Sequence, residues 1–154
     1  MEDIYKSLLS DSELMSRQVV GRLFELSVPE GPVMIYVSEE RQFQTTDMMR
    51  AGFLQESPER LEGICNQIDD GDDPCLCVLN EGCVVGTQLA TEQAHCGYFL
   101  LYLPGYTSQT AQANLDVFEL VLAQAQLVCE LIDKNNQLHH LQLSHLSRTS
   151  KILS

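Results

Sequence analysis

The chain has 154 residues, 44% of them hydrophobic and 6% aromatic, with no Trp, and its 22 acidic against 9 basic residues give a net charge of -13. That length and apolar content suit one ordinary globular domain that builds its core without disulfides or metal. The charge excludes DNA, RNA and anionic membranes as partners, since scattered basic residues cannot offset phosphate repulsion.

The first residues, Met1-Glu-Asp-Ile-Tyr5, are acidic where a secretory signal is basic, and no apolar run is long enough for a membrane span. The expected location is therefore cytoplasmic, with the six cysteines reduced.

In chain order, residues 3–27 read as a helix. A capping-box spacing at Ser10 to Glu13 marks a possible break, and Met15, Val19, Leu23 and Leu26 line one face. Pro32 to Val37 and Arg41 to Thr46 read as a hairpin across a polar link. Residues 47–56 are ambiguous. Ser57-Pro58 has the form of an N-cap followed by a first-turn proline, and Leu61, Ile64, Cys65 and Ile68 then make a helical stripe. The acidic run Asp69 to Asp73 lacks the spacing of a calcium loop and reads as a solvated turn. Three strand candidates follow, Cys75 to Leu79, Cys83 to Ala90 and Gly97 to Leu103, the first two joined by the turn Asn80-Glu-Gly82.

The last element is a helix expected from about Thr110 to about Leu146, because no Gly or Pro interrupts the chain after Tyr106. Leu115, Phe118, Leu122, Ala125, Cys129 and Ile132 recur at steps of three and four, and Asn136 takes the next position of the seam. A polar residue at such a seam can fix register, so this stripe is the expected dimer helix, a short parallel coiled coil between two copies.

Short turns between successive strands demand antiparallel pairing. The expected fold is α+β, a mainly antiparallel central sheet of about five strands with N- and C-terminal helices on one face and a short helix and pocket on the other. Residues 1–146 form a single domain, divided into an N-terminal helix (1–27), sheet and middle helix (32–105) and exit helix (108–146), with a tail at 147–154.

The segment Gly97-Tyr-Phe-Leu-Leu-Tyr-Leu-Pro-Gly105, followed by a helix from Leu115 that ends in Asn135-Asn-Gln-Leu138, resembles the last strand and exit helix of GAF domains, small-ligand sensor modules of signalling proteins. Gly82-Cys-Val-Val-Gly86-Thr87 is similar to the Gly-containing strand of that fold, and PAS domains share the general plan. The resemblance implies a small-molecule ligand, a homodimer and a downstream effector domain in a bacterial signalling protein. It names no cofactor.

Strand alternation puts Phe99, Leu101 and Leu103 on the helix-packed face and leaves Tyr98, Leu100 and Tyr102 on the other. These three, with Thr87 or Gln88 of the neighbouring strand, are the ligand-binding candidates. The cysteines offer two alternatives. Cys75 and Cys77 share one side of a strand, and with Cys83, His95 and Cys96 they would supply zinc or iron–sulfur ligands, although the usual Cys-x-x-Cys spacing is missing and packing explains them equally. Cys83 and Cys96 would be the nucleophile and resolving pair if the chain were similar to free methionine-(R)-sulfoxide reductases, single GAF-type domains. That reading lacks a cationic neighbour, since no Lys or Arg lies between Arg60 and Lys134. His139, His140 and His145 read as solvated helix surface. The sequence thus points to a non-enzymatic sensor whose ligand alters the packing of its terminal helices, with a cysteine enzyme or a ligand-free dimerisation scaffold as rivals.

Overall fold

The computed structural model describes residues 11–25, 31–71, 74–92 and 95–153, with side chains described within 14–143. The first turns of the expected N-terminal helix, with Ser10 of its capping box, and Leu26 of its apolar face lie outside the described residues.

Helix α1 (Asp11–Phe24) leads to strands β1 (Val33–Val37) and β2 (Phe43–Thr45). The hairpin turns over Glu39 and Glu40 to Arg41, whose φ of 68° places a non-glycine residue in the left-handed region. The backbone N–H of Ser38 closes the loop on the Gln42 carbonyl at 3.0 Å. The stretch that sequence leaves undecided is helix α2 (Met48–Gln55), capped by Asp47, whose carboxylate accepts the Arg50 N–H at 3.2 Å. Helix α3 (Pro58–Asp70) begins at Pro58 as expected, but Ser57 makes no side-chain capping bond.

Strands β3 (Cys75–Val78), β4 (Gly82–Ala90) and β5 (His95–Pro104) complete one five-stranded sheet in the order β2-β1-β5-β4-β3, with every neighbouring pair antiparallel. The α+β arrangement expected from the sequence is the one observed. On one sheet face Tyr36, Val85, Phe99 and Leu101 pack against Val19 and Leu23 of α1 and against the exit helix. On the other, Ile35, Val84, Leu100 and Tyr102 pack beneath Leu54 of α2 and Ile64 and Ile68 of α3. Gly86 permits this second layer to close, because a Cβ there would lie 2.5 Å from Leu100 and 2.9 Å from Ile68.

The exit helix does not begin near Thr110. A short helix α4 (Ser108–Ala113) is capped by Thr107 and Thr110 bonding reciprocally, and Asn114 separates it from α5 (Leu115–Leu153). The 39 residues of α5 span about 58 Å and run past the expected end at Leu146. The expected dimer stripe packs within the chain itself: Phe118, Leu122, Ala125 and Cys129 are buried in the sheet core, and Leu115 and Ile132 are half-buried against it. Asn136 donates to Gln18 of α1 at 2.8 Å.

Candidate functional site

Strand β3 is shorter than β4, and its register with β4 ends with Cys75 against Gly86. Residues 87–90 of β4 therefore extend past β3, and α5 lies along them. The result is an open cleft of about 540 Å³ lined by Pro74, Thr87, Gln88, Ala90, Glu119, Leu122, Ala123 and Gln126. At one end, the Ala90 N–H donates to the side-chain oxygen of Gln126 at 3.2 Å, and the Gln126 amide donates back to the Ala90 carbonyl. One wall of this cleft is strand and the other is the exit helix, so anything that fills it touches both.

Two ligand candidates, Thr87 and Gln88, line this cleft from opposite faces of β4. Thr87 is buried on the helix side and Gln88 is exposed. The other three are held elsewhere. Tyr98, Leu100 and Tyr102 lie buried beneath α2 and α3. The Tyr98 hydroxyl donates to both carboxylate oxygens of Asp69, at 2.8 and 2.9 Å, and burial, reinforced by Asp69, lifts its pKa to about 12. Tyr102 meets Phe53 edge-on at 5.2 Å and reaches the Glu81 carbonyl at 3.4 Å.

Beside Tyr98, a second cleft of about 450 Å³ opens between β2 and the two middle helices, with Phe43, Pro58 and Leu61 as its apolar floor. Arg41 stands at its edge, stacked over the Tyr98 ring at 5.1 Å and held by both oxygens of Glu62 at 2.7 and 3.1 Å. That bidentate pairing raises the Arg41 pKa and lowers that of Glu62. The cation is neutralised where it stands, so this cleft offers no free charge to an anion.

The cysteines separate into groups. Cys75 and Cys77 face α3 with their sulfurs 3.8 Å apart, and Cys77 donates to Gln67 at 2.8 Å. Burial, then Cys75, pushes the Cys77 thiol up to about 12. Cys83 pairs in register with Val78 and so points to the opposite face, fully buried, where burial raises its pKa. Cys96 would share the Tyr98 face if β5 alternated strictly. A bulge intervenes, since the register shifts between Leu89 and Ala90 and Gly97 takes φ +108°. The bulge turns Cys96 onto the α5 face beside Cys129 and leaves His95 on the other, edge-on to Tyr98 and 3.1 Å from Glu39. Cys129 hydrogen-bonds to Cys96 and holds its thiol below the ordinary value, while Cys96, followed by burial, drives Cys129 up. Cys83 and Cys96 lie at opposite ends of the sheet, about 20 Å apart by strand rise, so they form no nucleophile and resolving pair. Among the described residues no group of three or more His, Cys, Asp or Glu is placed to hold a metal ion.

Several site residues escaped sequence reasoning. Pro74 lines the cleft only because α5, far along the chain, returns to the end of the β3–β4 hairpin. Gln126 and Glu119 are polar positions on an otherwise unremarkable helix surface, with no local signal. No helix among the described residues is long and apolar enough to cross a membrane. No family model, curated protein or solved structure matches the chain.

Proposed function

We propose that this chain is a non-enzymatic sensory domain of the GAF-like kind, which binds a small molecule in the cleft between β4 and α5 and passes the event to a downstream effector through α5. The observation that carries this reading is the placement of that cleft, whose two walls are joined by the Gln126–Ala90 bonds. A ligand that hydrogen-bonds to the β4 edge and presses on Ala123 or Leu122 favours one position of α5 over another, which is the differential affinity that any ligand-driven shift requires. Among the described residues Glu119 is the charged group on the lining and no Lys or Arg contributes to it, so the ligand class is neutral or cationic, with donors for Glu119 and for backbone carbonyls.

Native mass spectrometry of protein purified under reducing conditions tests this directly. The expected result is an organic mass retained by the wild type and lost from Ala123→Trp, whose indole projects from the exposed helix wall into the cleft. Equal retention by both would place the ligand elsewhere, and added zinc or iron mass would return attention to the cysteines.

A further inference from the structure

The outward side of α5 carries a second apolar stripe. Val117, Leu120, Leu127, Leu131, Leu138 and Leu141 are each 53–67% exposed. With Gln124 and Lys134 in the two gaps they repeat at alternating steps of three and four without interruption from 117 to 141. This is the spacing of a coiled-coil seam, and it lies opposite the stripe that Phe118, Leu122, Ala125 and Cys129 bury in the sheet. One helix therefore has two apolar faces, and the chain's own core covers one of them.

We infer that the outer stripe is the seam of an antiparallel coiled coil with a second copy of this chain. The sequence of the stripe is complementary to its own reverse. With the two-fold axis crossing the seam at the axial level of residue 129, Val117 meets the partner's Leu141, Leu120 meets the partner's Leu138, and Leu127 meets the partner's Leu131. The two polar positions then meet each other, so the Lys134 ammonium donates to the side-chain oxygen of the partner's Gln124, twice by symmetry. Parallel pairing in register would instead set Lys134 against the partner's Lys134 inside an apolar seam, which is unfavourable.

The seam also has about the length a dimer needs. Residues 117–141 span about 36 Å, and a third of the solvent-accessible circumference of a helix about 11 Å across gives roughly 500 Å² per partner. The total of about 1,000 Å² sits at the lower limit for specific interfaces, so the dimer is reversible and concentration-dependent. The inference takes nothing from the cleft ligand of the proposed function, and it replaces the parallel arrangement that Asn136 suggested in the sequence.

Sedimentation equilibrium on the full chain, wild type and Gln124→Glu, combined with carbodiimide crosslinking, tests seam and orientation together. The wild type is expected to dimerise reversibly. Gln124→Glu gives an ion pair with the partner's Lys134, dimerises at least several-fold more tightly, and yields an amide between position 124 and Lys134 on a species of twice the chain mass. Within one chain the two positions are about 15 Å apart, so that amide is interchain. Leu127→Asp, at an exposed position that leaves the fold intact by circular dichroism, is expected to be monomeric. A Gln124→Glu dimer that is weaker and gives no such amide would overturn the antiparallel orientation. A wild type that stays monomeric, or an undiminished dimer in Leu127→Asp, would overturn the seam itself. These outcomes are separable from the proposed function: a monomer that retains a cleft ligand removes the seam alone, and an antiparallel dimer whose bound mass ignores Ala123→Trp removes the cleft alone.

Discussion

Gln126 on α5 and Ala90 at the end of β4 exchange two hydrogen bonds, one in each direction, and so fasten the exit helix to the strand that forms the other wall of the cleft. Gln126→Ala leaves both backbone groups of Ala90 without these partners. The expected loss is about 1–2 kcal/mol in urea-unfolding stability, with faster hydrogen exchange at the Ala90 amide. Unchanged exchange there would mean that the bonds do not fasten α5 to β4.

Gly97 is the conformational pivot of β5. Its φ of +108° disfavours any side chain, and a Cβ would stand 2.4 Å from the Val37 carbonyl oxygen. Gly97→Ala is expected to destabilise the fold by about 3 kcal/mol or more, from the combined strain and clash. Thermal unfolding of Gly97→Ala and Gly105→Ala side by side isolates the clash, because Gly105 also has positive φ but has open space around it.

Two buried tyrosines predict a sharp alkaline limit. Burial raises both Tyr36 and Tyr98 from 10 to about 12. The folded chain keeps these phenol protons up to about pH 12, while the unfolded chain releases them near 10. Their contribution is therefore complete below pH 10 and is lost as pH rises from 10 to 12, roughly 3 kcal/mol for each tyrosine. Tyr36→Phe should flatten this fall. At neutral pH it loses the hydrogen bonds to Ser16 and to the Cys96 carbonyl, at a cost of about 1–2 kcal/mol. Denaturant midpoints from pH 8 to 12 read both effects.

Cys96 is half-buried, and its hydrogen bond with Cys129 favours the thiolate, whereas burial raises Cys65, Cys77 and Cys83. Iodoacetamide near pH 7.5 should alkylate Cys96 ahead of the buried cysteines, and Cys129→Ala should slow that reaction. A peptide-level mass-spectrometric time course would contradict this if Cys83 reacted first.

Much of the sheet was legible because strands leave a period of two and turns leave Gly and polar residues, as at Asn80-Glu-Gly82. The inner stripe of α5 was equally plain, but periodicity says only that a face is buried and not against what. Thus Phe118 to Ile132 entered the chain's own core, and Asn136 found Gln18 rather than a second copy. The start of α4 passed unseen because its signal is a Thr107–Thr110 capping box, with Thr where Glu or Gln is the usual sign, and the break at Asn114 is a single residue that interrupts no apolar pattern. Helix α2 begins Met-Met-Arg-Ala-Gly, too mixed for either period. The cleft was illegible for a deeper reason, since it depends on β4 outrunning β3 and on α5 returning to β4. The Gly97 bulge likewise reversed the face on which alternation places Cys96.

The most direct measurement is a thermal-shift screen of small neutral and cationic metabolites against the wild type and Ala123→Trp. The account predicts that at least one compound raises the melting temperature of the wild type by several degrees, leaves Ala123→Trp unmoved, and changes hydrogen exchange along residues 115–132 of α5. A compound that stabilises both proteins equally, or that binds in the cleft without altering exchange in α5, would contradict it.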